Sequence, residues 1–251
     1  MTIDYIDSRF DTKYLSNFDF MITLGICAKN ITSDICINPI LDMQTKQYIR
    51  YEAGTEEGVA ALFLHDFYKN LNLKDYIEAL DYGYLTSETN ITEEEMQEIK
   101  TCFYSHKKPL LLIGDNFYLH QRRKNILNIF SNLAESINIA FLSSDINEIY
   151  TIKTRISNIE QISNLPENNG CIVYVDSVLS TQKPFLRFSR EFAKAWRIND
   201  NDCIEICFDD FKIKAVSLLD SNLSGVIGIL STNENIDCGY RYKRVVINKV
   251  S

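Results

Sequence analysis

No run of apolar residues in this chain approaches the roughly 20 that a helix needs to cross a bilayer, so no membrane-spanning helix is expected. Met1 to Arg9 has neither a basic flank nor an apolar core. No secretory signal is read there, and a cytoplasmic protein is expected. Basic residues are in deficit: 26 Lys and Arg stand against 34 Asp and Glu, a formal net charge of -8. That balance argues against nucleic acid or an anionic membrane surface as a primary partner. There is no Cys-x-x-Cys pair, and seven cysteines is an odd number at spacings unlike a disulfide framework. Cys27 and Cys36 are separated by polar loop residues. Cys203 and Cys207 share one face of an expected strand but lie roughly 13 Å apart, too far for one metal ion. The cysteines therefore read as small buried apolar residues. Gly-x-Gly-x-x-Gly and Gly-x-Ser-x-Gly are both absent, as are repeats and low-complexity stretches. Of the three histidines, His65, His106 and His120, none has a second ligand at metal-binding spacing.

What is present suits a folded α/β protein. With 251 residues, 45% of them hydrophobic, the chain can form one large or two ordinary domains. Met1 to Leu15 shows no clear period. Phe18 to Leu24 reads as a strand, Ile26 to Asn38 as a loop or short helix, and Gln47 to Tyr51 as a second strand. Thr55 is placed to cap a helix with Glu56 and Glu57 in its first turn and an apolar stripe of Val59, Leu62, Phe63 and Phe67. A tyrosine-rich connection, Leu71 to Asn90, leads to Thr92-Glu93-Glu94-Glu95, a capping box with Ile91 and Met96 as its staple. Glu93 to Glu95 are thereby a helix start rather than a metal site. Leu110 to Ile113 and Ile139 to Leu142 are strands around a long helix, a β-α-β unit. It predicts a parallel sheet with helices on its faces over residues 1–165. The polar stretch Ser143 to Asn169 contains the domain boundary.

Residues 166–251 alternate at the strand period. Cys171 to Val175 is a strand, and Ser189 caps a short helix carrying Phe192, Ala193 and Trp196. Ile204, Ile206 and Phe208 then pair across the Asp209-Asp210 turn with Phe211, Ile213 and Ala215 as a hairpin, and Val226 to Leu230 is a last strand. Short strands with tight turns predict a small barrel.

Specific segments carry a resemblance. Phe188-Ser189-Arg190-Glu191-Phe192-Ala193, Ile198-Asn199-Asp200-Asn201-Asp202, Ile213-Lys214-Ala215 and Leu223-Ser224-Gly225-Val226 resemble the C-terminal domain of the molybdopterin oxidoreductase superfamily. The superfamily usually has Gly-Asp where this chain has Asn201-Asp202; Asn tolerates positive φ, so the turn is expected to survive. Tyr48 to Val59, written Tyr-Ile-Arg-Tyr-Glu-Ala-Gly-Thr-Glu-Glu-Gly-Val, resembles a stretch of the molybdopterin-oxidoreductase-like subunit of bacterial NADH-quinone oxidoreductase, respiratory complex I. Phe18 to Leu24 and Lys108 to Asp115 are similar to strands of the same family, in the same order.

The resemblance implies a Rossmann-like parallel-sheet domain over 1–165 and a double-psi-type β-barrel domain over 166–251. It implies a C-terminal part of that complex I subunit or a stand-alone homologue, with other peripheral-arm subunits as partners and attachment to the inner membrane through the complex. The cysteine-rich, ferredoxin-like region of that family and the metal-ligating part of the molybdenum enzymes have no counterpart here. The resemblance thus implies no cofactor, catalytic, cofactor-binding or metal-binding residue in this chain, with iron–sulfur clusters in partner chains. Two other readings stand beside this structural role: part of a molybdopterin-dependent oxidoreductase that completes a cofactor site with another chain, and a free-standing binding module. The anion-site candidate is Gly114-Asp115 with Arg122, Arg123 and Lys124, where Asp115 would repel a phosphate. The resemblance separately marks the loop from Ser177 that bears Lys183, Arg187 and Arg190 as the region that meets the pterin dinucleotide in cofactor-binding relatives, without the polar and glycine positions fitted to it there. Arg122 to Lys124 read as a solvated basic turn or a partner contact.

Overall fold

The structure is a computed structural model describing residues 5–26, 31–41, 45–143, 148–153, 158–162, 164–166, 170–177, 183–232 and 239–250. The chain divides into two compact units, Met1–Glu167 and Asn168–Ser251. It is a mixed α/β protein, each unit built on one seven-stranded mixed sheet, the first rich in parallel pairs and the second curled.

The first unit has strands β1 (Ile6–Phe10), β2 (Phe20–Leu24), β3 (Ser33–Ile37), β4 (Thr45–Ile49), β5 (Pro109–Ile113), β6 (Ile139–Ser143) and β7 (Glu148–Ile152). Their order across the sheet is β1-β7-β6-β5-β2-β3-β4. The five strands from β6 to β4 are parallel, while β7 and β1 add an antiparallel edge. The expected purely parallel sheet is thus corrected at that edge. β1 and β7 lie in stretches whose mixed, polar composition had shown no strand.

Among the described residues six α-helices belong to this unit: α1 (Glu56–Phe67), α2 (Lys74–Glu78), α3 (Tyr82–Thr89), α4 (Glu93–Ser105), α5 (Asp115–Tyr118) and α6 (Arg123–Leu133). The expected tyrosine-rich connection holds α2 and α3. The expected long helix after Gly114 is two, α5 and α6. Helices were expected on both faces of the sheet, but their apolar residues gather on one. Ile22, Leu24, Leu111 and Ile113 pack there with residues of α1, α4 and α6. The alternate residues Leu110 and Leu112 point the other way, to Ile26, Ile31 and the side chains of a 3₁₀ turn, Thr12–Asn17.

Handedness accounts for the asymmetry. The helical crossovers β4 to β5 and β5 to β6 step across the sheet in one direction, so right-handed connections put both on one face. The steps β2 to β3 and β3 to β4 run the opposite way, and right-handed connections for them fall on the other face. Only residues 25–32 and 38–44 are available for those steps, fewer than the dozen or so of an ordinary helical crossover. β3, expected as loop or short helix, was missed for that reason.

α1 lies between the sheet and the remaining helices. Every residue of it but His65 is buried, so where an apolar stripe was expected the helix is enclosed on all sides, carboxylates included. The capping box at α4 is formed in both directions, Glu95 N to Thr92 Oγ1 at 3.2 Å and Thr92 N to Glu95 Oε2 at 2.8 Å. Ile91 and Met96 are both fully buried.

The second unit has strands β8 (Ile172–Ser177), β9 (Phe185–Phe188), β10 (Cys203–Phe208), β11 (Phe211–Leu219), β12 (Ile227–Thr232), β13 (Tyr242–Arg244) and β14 (Val246–Lys249), with helix α7 (Arg190–Trp196). Their order is β13-β8-β12-β9-β11-β10-β14. The two outermost strands are consecutive in the chain, separated by Val245 alone, whose N–H donates to Cys171 O at 2.8 Å. The sheet therefore curls until its edges share one segment. Inside are Val173, Val175, Leu186, Phe188, Phe192, Ile204, Ile206 and Ile213. The hairpin pairs Phe208 with Phe211 across a turn in which Asp209 takes φ 47°. Asn201 has φ 62°, the left-handed geometry a Gly-Asp turn would use. Ser189 caps α7 by accepting from Phe192 N at 3.0 Å.

Candidate functional site

In open α/β sheets ligands bind beyond the carboxyl ends of the strands, where successive connections diverge. Here that place lies between β2 and β5, marked by Gly25 and Gly114. The two ends are pressed together. Gly114 N donates to Leu24 O at 2.8 Å, and a Cβ on Gly114 would lie 2.7 Å from Ile26 Cγ1 and 2.8 Å from the Gly25 carbonyl carbon. Gly25 has φ +66°, and a Cβ there would meet the Phe117 ring at 2.6 Å. Phe117 and Tyr51, both fully buried, fill the space between. Asn116 Nδ2 donates across the gap to Gly25 O at 3.1 Å. Tyr118 donates its hydroxyl hydrogen to Asp115. Asp115 is thus held by this chain's own tyrosine, and the anion-site reading of Gly114-Asp115 finds no opening for a phosphate.

Beside this closed crevice the first turn of α1 sends two carboxylates into the interior. Glu56 is 0% and Glu57 1% exposed. The hydroxyl of Tyr51 donates to Glu56 Oε1 at 3.1 Å, and His120 Nε2 is 3.7 Å from Glu56 Oε2. His120 Nδ1 accepts from Arg122 N at 3.0 Å, which leaves the proton on Nε2 to be donated to Gly54 O at 3.1 Å. Burial holds the imidazole pKa below its ordinary value, so the ring is neutral. Glu57 Oε1 accepts from Arg122 Nε at 3.0 Å and Asn125 Nδ2 at 2.7 Å. Arg122 also reaches Glu160 Oε2 at 2.8 Å and Gln161 O at 3.2 Å. Arg122 was expected in a solvated basic turn or a partner contact; it pairs with a buried carboxylate of this chain, while Arg123 and Lys124 are exposed.

A carboxylate, an imidazole and a phenol this close have the makings of a proton relay. General acid–base work, though, needs a group within reach of the bond being broken, and Tyr51, Glu56 and His120 are enclosed. The cluster acts as a polar brace that fixes α1, α5 and α6 around the switch point. Sequence reading missed it because Glu56 and Glu57 look like an ordinary helix start. The signal to be had was two adjacent carboxylates opening a helix with almost no other polar residue.

The other candidates lie apart. His65 Nδ1 is 3.4 Å from Asp66 Oδ1, with its ring over Tyr82. His106 stacks on Phe20 at 4.3 Å. Among the described residues no group of three or more His, Cys, Asp or Glu is arranged to hold a metal ion. Cys36 and Cys171 are buried as expected, and burial pushes the Cys171 thiol up to about 12. Cys203 is exposed and Cys102 and Cys207 half-buried, because the β10 cysteines occupy the outward face of their strand. Cys27 lies outside the described residues. In the second unit Lys183 and Arg190 are exposed. Arg187 pairs with Asp220 at 3.3 Å, and that carboxyl is held low first by the Asn222 N–H and then by Arg187. Among the described residues no helix is long and apolar enough to cross a membrane. No family model matches the chain, and no curated protein is significantly similar to it.

Proposed function

We propose that the chain is a non-catalytic structural part of the peripheral arm of NADH-quinone oxidoreductase, similar to the body of that complex's molybdopterin-oxidoreductase-like subunit, supporting electron transfer by cluster-bearing neighbours. The observation that carries this reading is the closed switch point. A body kept for its shape has no need of a cofactor crevice, and here Phe117, Tyr51 and Ile26 occupy the crevice with Gly25 and Gly114 in close approach. We take the first unit as Rossmann-like, on its two helical crossovers and its β2/β5 switch point. We take the second as double-psi-type, on two parallel pairs, β8 with β12 and β9 with β11, joined by the antiparallel pair of β9 and β12. The left-handed Asn201 in the Asn-Asp turn agrees with that assignment. The neighbours, not this chain, carry the iron–sulfur clusters, and attachment to the inner membrane runs through them.

The test is affinity purification of the tagged chain from detergent-solubilised membranes, with metal and pterin analysis of the product. Co-purification with NADH-oxidising, iron–sulfur-bearing subunits is expected, with no molybdenum or tungsten above background. A chain recovered without such partners overturns the proposal. Stoichiometric molybdenum or tungsten with a fluorescent pterin overturns it in favour of a molybdopterin-dependent oxidoreductase with a shared cofactor site.

A further inference from the structure

The first unit carries an open groove of about 490 Å³ on its helical side, a volume typical of a binding pocket. One wall is α2 and the start of α3, with Tyr76, Ala79, Leu80 and Tyr84 facing in; the other is formed by Gln161 and Ile162 of the extended segment that follows β7. Both ends are tied. Tyr76 donates its hydroxyl hydrogen to Glu160 O at 3.1 Å, and Leu165 N donates to the Tyr84 hydroxyl at 2.9 Å. The segment is anchored further by Asn125, which donates to Glu160 O at 3.1 Å and accepts from Glu160 N at 2.7 Å. The groove is thus held open by bonds that stiffen both walls, which lowers the ordering cost of filling it.

Its floor is mostly aliphatic and aromatic, and its rim is acidic. Asp75 and Asp81 stand on the lip, both exposed, with Glu78 one turn along α2. Lys74 is the sole base from residue 74 to 98, and it already pairs with Glu78 at 3.5 Å. That stretch holds eight carboxylates, a net charge of -7 beside -8 for the whole chain. Within it the wall itself, residues 74–85, holds Asp75, Glu78 and Asp81 against Lys74, and the residues lining the groove include no Lys, Arg or His. Such a field attracts a cationic partner and repels anionic ones.

We infer that this groove docks a basic segment of a partner protein, one that inserts one or two aliphatic side chains between Tyr76, Leu80 and Ile162 and sets Lys or Arg against Asp75 and Asp81. An apolar anchor in a preformed pocket supplies the holding energy, and the charge pairs on the rim set orientation and association rate. The inference goes beyond the oxidoreductase reading and does not need it, since any assembly with a basic, aliphatic segment could use the site.

The test uses the full chain as bait for a random 12-residue peptide library, followed by titration of the recovered peptides by isothermal calorimetry. The recovered peptides are expected to combine net positive charge with paired aliphatic residues, and to lose affinity at least fivefold between 50 and 300 mM salt. Ala79→Arg, which fills the floor at an exposed position, is expected to weaken binding tenfold or more. Asp75→Lys is expected to weaken it several-fold, and both variants should keep the wild-type circular dichroism. If Ala79→Arg loses that spectrum, Asp75→Lys alone decides. Peptides without a basic bias, an empty selection, or affinities within twofold of wild type in the folded variants would overturn the inference. Because the bait is the isolated chain, this outcome is separable from failed co-purification with respiratory subunits.

Discussion

Replacing Gly114 by alanine probes the closed switch point directly. The backbone there has φ -95°, which any residue adopts, so the cost is purely one of space. The new methyl would lie 2.7 Å from Ile26 Cγ1 and 2.8 Å from the Gly25 carbonyl carbon, whereas carbon atoms pack at about 3.5–4.0 Å. Relief requires the ends of β2 and β5 to part by roughly 1 Å. Forcing an extra carbon into a dense core costs ~1–3 kcal/mol. Stretching the bond from Gly114 N to Leu24 O adds about 1 kcal/mol, so a loss of ~3 kcal/mol is expected for the first unit. In urea, with a slope of about 2 kcal/mol per molar, the midpoint falls by roughly 1.5 M. Hydrogen exchange of the β2 and β5 amides, if it follows opening of the unit, should quicken by about a hundredfold. Gly83→Ala is the control. It lies inside α3, where an added Cβ meets only Asp81 Oδ1 at 3.7 Å, and it should stabilise by about 0.5–1 kcal/mol. If Gly114→Ala and Gly83→Ala unfold at the same urea concentration, the two strand ends have room to spare and the closed-crevice argument fails.

The remaining predictions concern the polar brace and the thiols. Because the folded pKa of His120 is depressed, the unfolded chain binds that proton more readily; stability is full above pH ~6.5 and falls as the pH drops from there towards the folded value. His120→Gln should flatten that part of the profile, and an NMR titration placing the His120 pKa at or above 6.5 would contradict the assignment. Arg122→Met takes the guanidinium away from the buried Glu57 carboxylate, which keeps its bond from Asn125. Since the Arg122 side chain is 33% exposed, the cost should fall below the usual 3–5 kcal/mol for breaking a buried pair, at about 2 kcal/mol; adding Glu57→Gln in a double-mutant cycle should recover part of it. Under native conditions an alkylating reagent should modify Cys203 before Cys36 and Cys171, with sites assigned by peptide mass mapping; early modification of Cys171 would contradict its buried, high-pKa setting.

Legibility in the sequence followed how local each signal was. The capping box at Thr92 and Glu95, the Ser189 cap and the β10–β11 hairpin depend on residues a few positions apart, and they appear with the bonds those residues predict. β3 was hidden because parallel neighbours are expected to be joined through helices, and here the connections are too short for one. β1 and β7 pair across more than a hundred residues, a distance at which alternation carries no information about the partner. α2 and α3 were lost in a tyrosine-rich stretch whose packing on the core decides their form. Glu56 and Glu57 were legible as a helix start and illegible as buried groups, since burial depends on Arg122, Asn125 and His120 arriving from 65 or so residues away.

The single-residue join between β13 and β14 governs the order in which the second unit can be completed. During synthesis β8 emerges early and must wait, one flank uncovered, until residues 242–244 are made. The opposite flank, on β10, is sealed by the four residues that follow Val245. Both open sides are therefore closed by one short stretch made after the other five strands, and removing residues Val245 to Lys249 would unfasten a flank as well as shorten the chain.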